Sequence, residues 1–246
     1  MIVRNHPLPL YYQLMQELRQ RIEEGTWKPG DLIPSERELS ETYGISRMTV
    51  RQALAELVND GLLRRDQGRG TFVAKPKIRK QLSRLTSFTE DMRARGKLSS
   101  AQVLCMEMVS ARPKVAEMLQ IDVAGQVVLV ERLRLADNEP VGIERCHLSF
   151  DGCDAILRED LSGSLYRLLS KRFGLVPTRA QEEIEAGACA SREAKILGIK
   201  HSQPVLLIRR RTFDQNQRAF EYVESVYRGD NRILSVELTA EETATD

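Results

Sequence analysis

The chain has 246 residues, 41% of them hydrophobic, with 37 basic and 35 acidic side chains and a formal net charge of +2. That is room for two compact domains or one large one, and neither low complexity nor a fixed-period repeat is visible. No apolar run approaches the roughly 18 residues of a membrane helix, and MIVRNHPLPLYYQ lacks the apolar stretch of a secretory signal, so no membrane partner and a cytoplasmic protein are expected.

Charge is uneven along the chain. Residues 64–97 hold 11 basic and 3 acidic side chains, against 7 and 9 in residues 1–63 and 19 and 23 in residues 98–246. A polyanion contact is therefore expected to be local. Cys105, Cys146, Cys153 and Cys189 form no CxxC, and with His6, His147 and His201 they give no metal-ligand spacing. Buried free thiols are expected, with no disulfide framework, metal or cofactor.

In chain order, Leu10, Leu14, Leu18 and Ile22 recur every four residues and predict a helix over 9–24, started by Pro9 and stopped at Gly25. TWKPGDLIPS is turn-rich. Ser35 and Glu38 make a capping box for a helix over 36–43, and Gly44 suits the left-handed position that ends it. Ser46 caps again, and the helix from Arg47 turns Val50, Leu54, Leu57 and Val58 inward before Gly61. LLRR and TFVA then flank the glycine-rich DQGRG as a hairpin.

Two helices across a tight glycine turn make a helix-turn-helix, whose second helix can enter the DNA major groove. Its opening turn carries Ser46, Arg47, Thr49 and Arg51 where a merely packing helix would be apolar. Arginine can pair bidentately with guanine, roughly 1–3 kcal/mol of discrimination per good contact, and hydroxyls suit phosphates as well as bases. Arg37 is placed to reach the backbone, and Gly68, Arg69 and Gly70 make a tip slim enough for a groove. Each arginine alone could sit on a solvated face; the cap, the arginine–threonine–arginine run and the wing together favour DNA.

KPKIRKQLSR is basic and lacks sustained periodicity, so residues 76–84 are expected to link a domain over 1–75 to one over 85–240, with 241–246 (EETATD plus no core residue) a disordered tail. Strand-like runs at 101–109, 126–135, 140–148, 179–187, 204–214, 218–228 and 233–238 alternate with helical segments at 88–95, 113–120, 164–173 and 191–198. The expected class is α+β, with a mostly antiparallel sheet and helices in the C-terminal domain.

Within it, Ser87 and Glu90 form a second capping box, opening a helix end that attracts anions. Arg132 and Arg134 share a strand face with Val128 and Val130. Charge on so apolar a face needs a partner; Glu144 on the next strand is the obvious internal one, and a ligand anion is the alternative. Glu221 and Tyr227 share a face on another strand, and Ser164 and Tyr166 open a helix. These residues would make a pocket: anion at Ser87–Thr89 and the arginines, hydroxyl-rich body toward Glu144, Tyr166, Glu221 and Tyr227.

Residues 9–74, above all PSERELSETYGISRMTVRQAL, closely resemble the winged helix-turn-helix of the GntR family of bacterial transcription regulators. LTSFTEDMRARG, VLVERLRLADNEPVGIERCHL and FEYVESVYRGD resemble, more loosely, the UTRA effector-binding domain of its HutC subfamily, over nearly all of 80–240. The resemblance implies operator contacts from Arg37, Ser46, Arg47, Thr49, Arg51, Gly68, Arg69 and Gly70. It also implies a chorismate lyase-like fold, a homodimer and a small-molecule inducer. By the same resemblance, Ser87, Phe88, Thr89, Arg132, Arg134, Glu144, Ser164, Tyr166, Glu221 and Tyr227 would hold an anionic effector, as matching positions do in members that sense amino-sugar phosphates. N-acetylglucosamine 6-phosphate is one such ligand; urocanate, another carboxylate or a phosphonate stays open, as does the direction of regulation. Two other classes compete with this reading: a lyase-like enzyme fused to a DNA-binding module, for which the sequence offers no nucleophile–base pair, and an architectural winged helix without base readout.

Overall fold

Leucines at four-residue intervals wind Leu10–Glu23 into α1, with Leu14 and Leu18 fully buried. The computed structural model describes residues 2–3, 6–66, 68–75 and 77–238, and the chain divides into two compact units, residues 1–76 and 77–246. The expected disordered tail, 241–246, lies outside the described residues.

In the first unit α2 spans Glu36–Tyr43. Its capping box is complete: the Glu38 N–H donates to the Ser35 hydroxyl, and the Ser35 N–H donates to the Glu38 carboxylate. Gly44 ends α2 at φ 62°, a left-handed conformation that suits glycine. Ser46 starts α3 (Arg47–Asn59) by accepting the Thr49 N–H. Leu14, Leu18, Leu39, Val50, Leu54 and Leu57 meet in one core, each large side chain contributing about 1.5–3 kcal/mol of burial.

Strands β1 (Leu63–Asp66) and β2 (Gly70–Val73) pair antiparallel as a wing. The turn-rich reading of DLIP misses a third contributor. Gly30 and Ile33 donate their N–H groups to the Val73 and Thr71 carbonyls, at 3.0 and 2.9 Å, and Leu32 bridges Phe72. A proline-bounded stretch shows no alternation to read, yet the open edge of β2 supplies its partners.

The second unit is a six-stranded, wholly antiparallel sheet in the order β4-β5-β6-β9-β8-β7. The strands are β4 (Ser99–Ser110), β5 (Gln126–Ala136), β6 (Glu139–Leu148), β7 (Arg179–Ala188), β8 (Pro204–Phe213) and β9 (Ala219–Arg228). Asp137 and Asn138, at φ 51° and 64°, make the two-residue turn from β5 to β6. Helices are α4 (Phe88–Arg93), α5 (Pro113–Leu119), α6 (Leu165–Phe173) and α7 (Ser191–Leu197), with a 3-10 segment at Cys153–Arg158.

On one sheet face Val128, Val130, Cys146 and Phe220 pack against Leu165 and Leu169 of α6. Residues of opposite parity reach the other face, where Leu133, Ile143 and Val205 meet α7, and Val127 and Tyr222 meet α5. The class is α+β as expected.

Residues 76–84 are not a plain linker. Ile78–Gln81 form β3, paired parallel with β10 (Arg232–Ser235). The four-residue pattern hid this strand, because its buried positions are Ile78 and, unusually, Lys80. All four cysteines are free, but only Cys146 and Cys189 are buried; Cys105 and Cys153 are half-exposed, so the buried-thiol expectation holds for two. His147 is buried against Tyr222, and burial lowers its pKa.

Candidate functional site

The first unit gathers its polar candidates on two neighbouring features, the start of α3 and the wing tip. Ser46 is committed to its cap, and its hydroxyl lies 2.9 Å from that of Thr49. Arg47 is exposed and takes no partner among the described residues. Arg51 is not free: it donates to Glu36 at 2.9 and 3.1 Å, and Arg65 approaches the same carboxylate at 3.4 Å. Arg37 stands 4.0 Å from Glu41, a helix-surface pair with both side chains mostly in water.

Gly68 and Gly70 turn the wing at φ 76° and 119°, and a Cβ on Gly70 would come within 2.6 Å of the Leu32 side chain. Glycine is required at that position. Arg69, between them, is exposed. Met48, which departs from the small polar residue that the family resemblance implies there, is 67% exposed on the opening turn of α3.

The second unit brings nine of the ten predicted effector residues to one cavity: Ser87, Phe88, Thr89, Arg132, Arg134, Glu144, Ser164, Tyr166 and Glu221 line it together, with Leu165 and Arg210. Tyr227 lies in the adjoining compartment, which shares Phe88, Glu144 and Arg210 with the first. Each compartment has a volume of about 20 Å³, room for a water molecule or so.

Strand pairing explains the convergence. Arg132 stands directly opposite Glu144, and Glu144 opposite Ser225. Arg132 Nη2 donates to Glu144 Oε2 at 3.3 Å, and Arg134 Nε lies 3.7 Å from the same oxygen. Tyr227 donates its hydroxyl to the other oxygen, Oε1. Burial pushes the Glu144 carboxyl up, but Arg134, Arg132 and the Tyr227 hydroxyl more than offset it and hold its pKa at about 2. Glu144 is therefore an anion at neutral pH, the internal partner that the arginines demanded.

Even so, the pairing is incomplete. Arg132 Nε, Arg134 Nε and Arg134 Nη1 are buried without hydrogen-bond partners. Arg134 lies over the Phe88 ring at 4.4 Å. Beyond Glu144, Glu221 accepts from Tyr166 and Thr212, both at 2.7 Å. Above the sheet, Ser87 spends its hydroxyl and N–H on the capping box of α4, leaving the N–H groups of Phe88 and Thr89 without partners among the described residues.

Sequence reading missed Arg210, whose guanidinium faces Tyr166 at 5.6 Å. The signal was available: Arg210 shares strand parity with Ile208 and Thr212, an argument of the same kind as that for Arg132. Three arginines in succession, 209–211, concealed which one points inward.

A winged helix-turn-helix joined to a separate domain with a buried, charge-lined pocket defines a ligand-responsive DNA-binding regulator. Residues 10–73 match the bacterial regulatory proteins of the gntR family, and residues 94–232 match the UTRA domain. The HTH-type transcriptional repressor NagR of Bacillus subtilis is 42% identical over 229 residues, 93% of this chain and 94% of that protein. PhnF of Mycolicibacterium smegmatis, also an HTH-type transcriptional repressor, is 35% identical over 97% of this chain and 96% of its own. The crystal structure of PhnF from Mycobacterium smegmatis superposes with a TM-score of 0.67 at 34% identity, covering 92% of this chain and 99% of that one. The chain belongs to the GntR family of transcription regulators, and its UTRA domain places it with the HutC type. It is a regulator, not an enzyme.

Proposed function

We propose that this protein is a homodimeric repressor that leaves its operator when an amino-sugar phosphate, such as N-acetylglucosamine 6-phosphate, enters the pocket of the second unit. The observation that carries this reading is the pocket's unbalanced charge: Arg132, Arg134 and Arg210 against Glu144 and Glu221, with buried guanidinium N–H groups still unpaired. An anion would satisfy those donors, because charge-assisted hydrogen bonds are the stronger kind. The free N–H groups of Phe88 and Thr89 would complete the anion's shell. Ionised Glu144 can only accept, so it would receive hydroxyl or amide hydrogens from the ligand body.

The names of the relatives support repression: NagR, PhnF and the histidine utilization repressor of Pseudomonas putida, the last 35% identical over 86% of this chain. In the first unit, Arg47, Arg51 and Thr49 would face bases, and Arg37, Ser46 and the Gly68–Arg69–Gly70 tip would position the backbone. Each copy of a dimer would read one half of a near-palindromic operator.

Fluorescence anisotropy on the full chain tests this. N-acetylglucosamine 6-phosphate should lower operator affinity by about 5- to 150-fold, the usual range of allosteric coupling. Arg47→Ala should cost about tenfold on operator and little on random duplex. Release by urocanate and not by any sugar phosphate would replace the proposed ligand; equal binding to all duplexes would remove the regulator reading.

A further inference from the structure

Arg210 is held differently from the other two pocket arginines. Arg132 and Arg134 both lean on Glu144, whereas Arg210 stands 3.8 Å from Glu182 Oε2 and 3.9 Å from Glu221 Oε2. Both distances exceed hydrogen-bonding reach. Its Nε is buried without a partner. A guanidinium so placed has lost most of its water and gained only long-range attraction, which leaves its donors available to an anion.

Position adds to the case. Arg210 lines both compartments of the pocket and also a chamber of about 450 Å³ bounded by Lys80, Thr86, Ala180, Glu182 and Ile184. The chamber gives its side chain room to turn. Glu182, one of its two distant partners, is already engaged: Lys80 Nζ donates to both carboxylate oxygens, at 2.7 and 3.0 Å. Lys80 is buried and lies on β3, the first strand to follow the DNA-reading unit in the chain.

We infer that Arg210 is an anion-binding residue of this site, and that on turning to the ligand it leaves Glu182 wholly to Lys80, tightening β3 against β7. This rests on the effector reading above and adds the residue that connects the pocket to β3. Before ligand arrives, Glu182 is divided between two cations. Afterwards, the carboxylate answers to Lys80 alone, and pocket occupancy is felt at β3.

The test uses the full chain, with N-acetylglucosamine 6-phosphate and inorganic phosphate as probes, calorimetry for affinity and operator anisotropy for coupling. Arg210→Gln should weaken probe binding about tenfold or more, Arg210→Lys should restore part of it, and in Arg210→Gln the ligand-free operator affinity should fall toward the liganded value, because Glu182 is then left to Lys80 alone. Arg209→Gln is the control: Arg209 lies on the other face of β8, 3.3 Å from exposed Glu185, and its loss should change nothing. Glu182→Gln should keep probe affinity within about threefold while shrinking the ligand-induced loss of operator affinity about fivefold or more. Circular dichroism of each variant confirms folding.

Probe affinity within about twofold of wild type in both Arg210 variants overturns the role of Arg210. Undiminished coupling in Glu182→Gln overturns the connection to β3. Wild-type protein that binds inorganic phosphate but no sugar phosphate removes only the sugar-phosphate reading, and Arg210 is then judged on phosphate. Binding of neither probe overturns both.

Discussion

Gly142 stands opposite Tyr227 in the β6–β9 ladder, and a Cβ there would meet the Tyr227 ring at 2.3 Å. The glycine gives the ring space to lie over the strand, from which the Tyr227 hydroxyl reaches Glu144. Gly142→Ala should therefore cost about 1–3 kcal/mol of overpacking and move Tyr227 off the carboxylate, both visible in chemical denaturation and in the tyrosine's titration. Glu144 itself carries a pH signature. Its folded pKa, about 2, lies below its ordinary value of 4.5, so its stabilisation is present above pH 4.5 and is lost as pH falls toward 2. Glu144→Gln leaves two buried arginines short of a counter-charge and should cost about 3–5 kcal/mol at pH 7. The gap from wild type should narrow on acidification; a gap constant from pH 7 to pH 2 would contradict the ionised assignment. In the first unit, Glu36 holds Arg51 and Arg65 back from any other anion. Glu36→Gln should raise affinity for operator and random duplex alike, with a steeper salt dependence, because both guanidinium groups become available to phosphates.

Among the elements, those with a local signal were legible. The capping boxes at Ser35 and Ser87 and the Gly44 stop are chemistry confined to four or five residues, and each forms as its sequence implies. Arg132 and Arg134 were legible for another reason: two charges on an apolar strand face state their own need for a partner. What escaped notice is set at long range. The pairing of β3 with β10 joins residues more than 150 positions apart, and Lys80 is buried only because Glu182 waits there. Tyr227 lies on the expected face but in the adjoining compartment, since alternation gives a side and not a depth. The α4 element contributes Phe88 and Thr89 to the lining of the effector compartment, and its own stability rests on the Ser87 cap. Ser87→Ala removes its cap, worth about 1 kcal/mol, and amide exchange across 88–93 should accelerate about fivefold while the central strands keep their protection.

For the whole molecule, the charge pattern and the fold agree. The basic excess of residues 64–97 spans the wing and the segment that leads into the second unit, leaving the remainder mildly acidic. Binding of nucleic acid should accordingly be strongly salt-dependent despite a net charge of only +2. If ligand lowers operator affinity by some factor, operator must lower ligand affinity by that same factor, and calorimetry with and without duplex checks the equality. Unequal factors would mean that a third equilibrium, such as dimer dissociation, contributes, and sedimentation over a range of protein concentrations would expose it.

Because β10 is the only strand paired with β3 among the described residues, the last described strand fastens the stretch by which the chain enters the sensing unit. Cutting the chain just before Arg232 would strip that fastening, and with it the Arg232 side chain that lies over Tyr227, while leaving the six-stranded sheet in place. A shortened protein of this kind should still take up its small molecule yet fail to report it, and tags fused to the C-terminus deserve the same suspicion.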